Sequence, residues 1–179
     1  MHLRLLSLFA LGILLALPAT AQERANEEVR ASPNAAVAQT IGMTDVMVTY
    51  GRPSVRDRDI FGDLVPYDAI WRTGANEATT ISFSDDVMIE GESLAAGTYS
   101  LYTIPGEDEW TVIFNSVAEQ WGAYDYDEGN DVLRVMASPE ASAFSELMTF
   151  SFDTVNDNEG TLVLHWDETA VPLTISAGS

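Results

Sequence analysis

Four of the chain's eight arginines lie close together, at Arg52, Arg56, Arg58 and Arg72, and the chain contains no lysine. A guanidinium offers a rigid fork of hydrogen-bond donors that suits carboxylate or phosphate groups. Residues 52–76, called the arginine loop below, are therefore predicted to form an anion- or polyol-binding pocket. The alternative interpretation is that these arginines tie an irregular loop to the fold by pairing with acidic side chains and backbone carbonyls.

A second cluster, polar and aromatic, occupies residues 121–126, called the aromatic loop below, and contains Trp121, Tyr124 and Tyr126. These rings could stack on sugars, or they could plug one end of the fold, because Trp and Tyr fill cores when their polar tips find partners. If both loops are functional, they should meet at one end of the domain, as loops on a rigid scaffold do. The residues predicted to bind a ligand are Arg52, Trp71, Arg72, Asn76, Trp121 and Tyr124.

Oxygen ligands are concentrated at the end of the aromatic loop, where Asp125, Asp127 and Asp131 are the candidate metal ligands. Calcium takes about six to eight oxygens, and alternate residues of a loop can supply them. The spacing departs from that of an EF-hand, because Gly129 stands where a third ligand is wanted. A solvated acidic turn is the alternative, and no other cofactor is predicted.

The usual catalytic signatures are missing from this sequence. It has no nucleophile elbow, zinc-protease helix motif, phosphate-binding glycine loop or dinucleotide fingerprint. It also has no cysteine for a disulfide, a thiolate nucleophile or a metal site. His165 is the one histidine after residue 21, so a multi-histidine metal site cannot form within one chain. A hydrolase that uses Asp or Glu with His165 or a bound metal is an alternative hypothesis.

The charge of the chain excludes some classes of partner. It has 28 acidic residues against 8 arginines, with a formal net charge of −20. A nucleic-acid binder needs a basic surface, and the same charge opposes attraction to anionic lipids. An acidic, lysine-free surface suits concentrated salt, where self-repulsion is screened. A GC-rich genome that favours arginine codons would also explain the missing lysine.

Residues 1–21 have the three parts of a secretory signal peptide. A short basic segment with Arg4 precedes an apolar run from Leu5 to Leu17, and a small-x-small cleavage site follows. The run is shorter than the ~18–20 apolar residues of a membrane span, and no cysteine follows for a lipid anchor. The mature chain is predicted to begin at Gln22, in the periplasm or outside the cell. The predicted organisation is a flexible leader (22–31), one domain (32–176) and a tail (177–179).

Alternating apolar residues predict an all-β domain. Val46, Val48 and Tyr50 alternate with Met47 and Thr49, and Glu90-Gly91 is a predicted tight turn. Such short runs, separated by turn signals, favour an antiparallel two-sheet β-sandwich of about nine or ten strands. The other predicted strands are 81–83, 87–89, 98–104, 110–114, 132–136, 148–152, 162–166 and 171–175. Short helices are predicted only at 116–120 and 139–146.

Several of these segments also carry a resemblance. They include Tyr50-Gly51-Arg52-Pro53, Trp71-Arg72-Thr73-Gly74-Ala75-Asn76, Trp110-Thr111-Val112-Ile113-Phe114-Asn115 and Gln120-Trp121-Gly122-Ala123-Tyr124. Together they resemble the bacterial domain-of-unknown-function family 2911 over about residues 32–175. The resemblance implies an exported protein. It transfers no catalytic residue, because the family is uncharacterised.

The leading functional hypothesis is non-enzymatic binding of a small or oligosaccharide ligand by an exported domain. A hydrolase and a structural, envelope-associated domain are the alternatives, and the oligomeric state is left open. An enzyme predicts carboxylates with perturbed pKa values converging in one cleft. A binder predicts a concave site with aromatic walls. A structural domain predicts that both loops are buried with their polar atoms satisfied internally.

Overall fold

A computed structural model describes residues 29–178 of the chain. The predicted signal peptide, most of the predicted leader and Ser179 lie outside the described residues. The fold consists of ten antiparallel strands and one short 3-10 helix. The strands are β1 (Asn34–Ile41), β2 (Thr44–Gly51), β3 (Thr79–Phe83), β4 (Val87–Ile89), β5 (Glu92–Leu94), β6 (Gly97–Ile104), β7 (Trp110–Asn115), β8 (Asp131–Ala137), β9 (Glu140–Val155) and β10 (Glu159–Ala177).

The strands form two sheets, and this confirms the predicted all-β fold. The larger sheet has six strands in the order β1-β2-β3-β6-β7-β8, and the smaller has four in the order β5-β4-β10-β9. The 3-10 helix covers Glu128–Asn130. Among the described residues no helix is long and apolar enough to cross a membrane.

The alternation that predicted the strands also builds the core. In β2, Val46, Val48 and Tyr50 are buried, with at most 3% of each residue exposed, while the residues between them are more exposed. In β10, Leu162 and Leu164 are buried in the same way. Successive side chains of a strand point to opposite faces, so these residues meet between the sheets and form one continuous apolar cluster.

An aromatic cluster fixes the arginine loop to this core. Phe61 and Trp71 come from the loop, and they contact Trp110 of β7 and Trp166 of β10. The rings of Trp71 and Trp166 stack with centroids 6.0 Å apart and planes 18° apart. Because this packing involves both sheets, it holds the arginine loop against the core at Phe61 and at Trp71.

Both predicted helices are wrong. Residues 116–120 have no helical structure, and residues 140–146 belong to strand β9. The N-terminal part of β9 lacks the alternating burial that reveals a strand in sequence, but β10 supplies a pairing partner: Ala141 pairs with Thr169 and Glu140 with Ala170. Tertiary pairing therefore overrides the local preference. The strand predicted at 171–175 is part of β10, while β1 and β5 were not predicted.

Candidate functional site

The arginine loop has a well-defined backbone. Trp71 exchanges two backbone hydrogen bonds with Thr103 of β6, at 2.8 and 2.9 Å. The Ala75 N–H donates to the Gly51 carbonyl at 3.2 Å. Five of the seven described non-glycine residues with positive φ lie in the loop, among them Thr73 and Asn76. Such conformations persist only where the surroundings enforce them. The contacts around the arginine loop therefore hold its backbone in one conformation.

Three of the clustered arginines hold this loop in place, as the alternative interpretation predicts. Arg52 donates from Nε to the Met148 carbonyl at 2.8 Å and from Nη2 to Thr149 Oγ1 at 2.7 Å, which connects the loop to β9 in the other sheet. Arg58 donates to the carbonyls of Val55 and Ser54, and Arg56 donates to that of Ala31. The donors of these three arginines are therefore directed at backbone and hydroxyl acceptors of the protein itself.

Two further residues predicted to bind a ligand are also engaged by the protein. Trp71 is buried in the core, and its Nε1 donates to the Gly74 carbonyl at 3.2 Å. Asn76 is half-buried, and its Nδ2 donates to the Ser32 carbonyl at 3.0 Å. Both side chains support the shape of the arginine loop.

Arg72 differs from the other described arginines. Its Nε has less than 1 Å² of accessible surface and no hydrogen-bond partner. The ion pairs of the described residues involve Arg30 and Arg134, and the side-chain hydrogen bonds add Arg52, Arg56 and Arg58. Within the described part of the chain, Arg72 is thus the arginine whose guanidinium donates to no protein acceptor.

Pairing along the sheet determines the side on which Arg72 lies. Its neighbour Trp71 pairs with Thr103, and its own carbonyl accepts the N–H of Thr79 at 3.2 Å, while Thr79 pairs with Leu101. Trp71 faces the core, so Arg72 faces the opposite side by the alternation of strand residues. The opposite side is the outer face of the six-stranded sheet, on which Tyr102 also lies.

The two loops meet on this outer face, rather than at an end of the sandwich. Glu77 and Trp121 form a β-bridge, the Ala78 N–H donates to the Gln120 carbonyl at 3.0 Å, and the Gly122 N–H donates to the Asn76 carbonyl at 3.1 Å. The aromatic loop lies over a small apolar cluster on this face, formed by Ala78, Tyr102 and Ile113 with Ile70, Ile104, Ala123 and Tyr126 around them. The two loops therefore make contact, as predicted, but the contact lies on the outer face of the six-stranded sheet and not at one end of the domain.

A buried asparagine at the end of β7 fixes the approach to the aromatic loop. Asn115 is fully buried, donates to the Asp127 carbonyl at 3.0 Å and accepts from the Val117 N–H at 3.1 Å. Gln120 donates to the Val117 carbonyl at 2.8 Å, but its Oε1 is buried without a partner. Arg72 Nε and Gln120 Oε1 are therefore a buried donor and a buried acceptor that both lack a partner among the described residues.

The aromatic loop exposes two large rings at this junction. Trp121 is 57% exposed and Tyr124 is 83% exposed, whereas the other three tryptophans are buried. We define the outer patch as Arg72, Gln120, Trp121 and Tyr124. The patch thus combines a half-buried, unpaired guanidinium with exposed aromatic surface.

The acidic residues after the patch form a different arrangement from the predicted calcium site. The Asp131 carboxylate accepts from Asn115 Nδ2 at 2.8 Å, from the Tyr126 hydroxyl at 2.6 Å and from Arg134 Nε at 2.8 Å. Asp127 caps the 3-10 helix by accepting from the Gly129 N–H at 2.9 Å, and Asp125 is exposed. No group of three or more His, Cys, Asp or Glu among residues 29–178 is arranged to hold a metal ion.

The Asp131 cluster closes the aromatic loop onto edge strand β8. Arg134 Nη2 donates to the Tyr126 hydroxyl at 2.9 Å, so the phenol both donates and accepts. Burial, followed by the hydrogen bond and the negative charge of Asp131, raises the pKa of Tyr126 to about 12. Tyr126 is therefore a neutral structural residue at physiological pH.

Other candidate chemistry lies away from the outer patch. His165 Nε2 is 2.7 Å from the Ala143 carbonyl oxygen, on the four-stranded sheet. Between the sheets is a cavity of about 20 Å³, lined mainly by apolar side chains with Thr73 and Thr103. It has room for about one water molecule. Neither feature places a reactive pair of side chains beside the patch.

Sequence reasoning missed two parts of this site. Gln120 was not predicted as a site residue, because an orphaned acceptor depends on packing rather than on residue type. Arg30, in the predicted flexible leader, forms an ion pair with Glu77 at 2.7 Å beside the loop junction. The unusual scarcity of cations could have drawn attention to Arg30.

Comparison with known families places the whole described domain in one of them. Residues 32–175 match the family described as "Protein of unknown function (DUF2911)", so the chain belongs to that family. This confirms the resemblance noted in the sequence. No curated protein and no solved structure matches the chain.

Proposed function

We propose that this DUF2911 protein is an exported binding domain that takes a small polar ligand, such as a saccharide, at the outer patch. The observation that carries the proposal is the guanidinium of Arg72, which has no acceptor among the described residues and belongs to the loop that the aromatic loop contacts. A half-buried cation without an acceptor is unfavourable. A ligand that accepts hydrogen bonds from Arg72 would remove that cost.

The exposed rings of the aromatic loop supply the second contribution to binding. Trp121 and Tyr124 present apolar faces, and burying such a face against the C–H surface of a sugar is favourable. Their polar tips remain free to reach ligand hydroxyls. The aromatic loop is itself fixed by the backbone hydrogen bond from the Gly122 N–H to the Asn76 carbonyl of the arginine loop, so ligand binding does not have to order it.

The structure changes which predicted residues carry this proposal. Arg72, Trp121 and Tyr124 remain as ligand contacts, while Arg52, Trp71 and Asn76 act as supports because their polar atoms are bonded within the protein. The structural-domain alternative accounts for these supports. It does not account for Arg72 or for the exposed rings. The hydrolase alternative rests on His165 and stays a prediction.

Fluorescence quenching tests the binding proposal, because Trp121 is the exposed one of the four tryptophans. A soluble quencher should reach mainly Trp121, and a bound ligand should protect it. A panel of neutral sugars, sugar acids and small organic acids is screened for saturable protection. The matched control is Phe144→Ala, which removes an equally exposed ring (57%) from the other sheet. Protection of Trp121 that is lost in Tyr124→Ala and retained in Phe144→Ala supports the proposal, and a panel without saturable protection contradicts it.

Export is tested separately by the mass of the processed protein. The predicted signal peptide leads us to expect that protein recovered from the periplasm or the medium begins at Gln22. Intact mass spectrometry of that fraction should show no species that retains residues 1–21. Retention of these residues in the recovered protein would contradict the export proposal.

A further inference from the structure

We infer that the ligand of the outer patch carries a carboxylate that pairs with Arg72, and that it is therefore a sugar acid of the uronic type rather than a neutral sugar. This inference rests on the proposed binding function and goes further, because it names the chemical class of the ligand. It depends on the electrostatics of the described residues.

Arg72 lacks an internal counter-ion in a chain that has many available. The sequence contains 28 acidic residues and 8 arginines. Arg30 pairs with Glu77, and Arg134 pairs with Asp131 and Glu128, yet no described carboxylate forms an ion pair with Arg72. With acids in such excess, an internal partner for Arg72 would be easy to supply. Its absence from the described residues leaves the guanidinium available to an external anion.

The geometry of an arginine favours a carboxylate as that anion. Nε and a terminal nitrogen of the guanidinium form a fork that matches the two carboxylate oxygens, and such bidentate pairs are about twice as strong as neutral hydrogen bonds. The two terminal nitrogens form a second such fork, and in Arg72 this is the accessible one, because Nε is covered. A ligand carboxylate therefore pairs with the terminal nitrogens of Arg72.

The remaining groups of the patch indicate a hydroxylated ring. Trp121 and Tyr124 offer ring faces for stacking. A uronic acid combines a carboxylate, several hydroxyls and an apolar ring face in one unit. A simple carboxylate lacks the ring, and a neutral sugar lacks the charge.

Calorimetric titration with two matched trisaccharides tests the inference. The probes are trigalacturonate and galactotriose, which differ chiefly in the carboxylates. Each is titrated into wild type, Arg72→Gln, Arg72→Lys and Arg56→Gln. Arg56→Gln is the matched control, because it removes the same charge from the same loop at an exposed position. Circular dichroism melts establish that each variant is folded, and Arg72→Lys keeps the charge if Arg72→Gln is poorly stable.

We expect trigalacturonate to bind wild type and Arg56→Gln alike. We expect its affinity to fall by about tenfold or more in Arg72→Gln, as for the loss of a hydrogen bond to a charged group, and by less in Arg72→Lys. Equal affinity for galactotriose, with protection of Trp121, would overturn the carboxylate inference and leave the proposed function standing. Trigalacturonate binding that is unchanged in Arg72→Gln would also overturn it. If neither probe binds and no member of the panel protects Trp121 from quenching, both the carboxylate inference and the proposed binding function are overturned.

Discussion

Arg52 and Arg72 come from the same loop but have opposite roles in the structure, and their alanine variants should differ in stability. Arg52→Ala removes two hydrogen bonds that join the sheets, so we expect the free energy of unfolding to fall by about 1–3 kcal/mol. Arg72→Ala removes no bond to a protein acceptor, and we expect a change below about 1 kcal/mol. Urea denaturation of both variants measures the difference.

The opposite order of stabilities would contradict this assignment. If Arg72→Ala costs about 3–5 kcal/mol, Arg72 is one member of a buried ion pair, and the outer patch is a structural element rather than a binding site. As a reference, the free energy of unfolding of the wild type is measured with and without about 1 M salt. An exposed ion pair would weaken with salt, and the reference shows how large that effect is.

Tyr126 is the residue whose titration should affect stability at alkaline pH. Its pKa is raised to about 12 in the fold, first by burial and then by Asp131, against about 10 in an unfolded chain. The folded protein holds this proton more tightly, so its stabilising contribution is complete below about pH 10 and is lost as pH rises towards about 12. Tyr126→Phe should therefore flatten the decline of unfolding free energy over this range.

The control for this prediction is Tyr124→Phe, which removes an exposed phenol next to the same cluster. Burial also raises the pKa of Tyr99 and Tyr102, so some decline should remain in every variant. Equal slopes for Tyr126→Phe and wild type would show that the Asp131 cluster does not hold the Tyr126 proton.

The junction between β2 and the arginine loop is the element-level contact that shapes the site. A Cβ atom added at Gly51, the last residue of β2, would lie 2.0 Å from the Ala75 carbonyl oxygen. Gly51→Ala must therefore push the loop away from the strand, and we expect a loss of about 1–3 kcal/mol or more, as in overpacked cores. Urea denaturation measures this loss, and weaker ligand binding at the outer patch should accompany it.

Gly178→Ala is the matched control, because nothing lies within 4 Å of a Cβ atom at that position. We expect it to change stability by less than about 0.5 kcal/mol. If Gly51→Ala changes stability as little as Gly178→Ala does, the arginine loop is not packed against the end of β2. The claim that its surroundings hold its backbone in one conformation would then be wrong.

Elements with one buried face could be predicted from the sequence, and those without one could not. The period-2 patterns of β2 and β10 report a face that packs on the core. The first half of β9 is mostly exposed on both faces, so its pairing with β10 leaves no local signal. The loops were recognisable from their composition. The role of each arginine was not, because the acceptors of Arg52 lie almost a hundred residues away in sequence.

At the scale of the whole molecule, negative charge is the dominant electrostatic feature. The formal net charge is −20, so folding brings many like charges together, and we propose that the protein is adapted to salt. Raising the salt from about 0.1 M to about 1 M shortens the screening length from about 10 Å to about 3 Å. We therefore expect the melting temperature to rise clearly between these two conditions.

Salt also strengthens hydrophobic burial, so this experiment needs a reference protein. A β-sandwich with similar apolar content and near-neutral charge is melted in the same two buffers. A larger rise for the acidic protein supports the electrostatic account. Equal rises in the two proteins would mean that charge repulsion does not limit its stability.

The central claim is that the unpaired guanidinium of Arg72 is the centre of a ligand site, and nuclear magnetic resonance of the arginine Nε–H groups tests it most directly. The chain has only eight arginines, so these signals are few, and Arg72→Lys identifies one of them by its disappearance. During titration with the panel of sugars and sugar acids, the Arg72 signal should shift saturably, while that of Arg52, bonded to the Met148 carbonyl, should stay in place. An Arg72 signal that no member of the panel moves would contradict the claim.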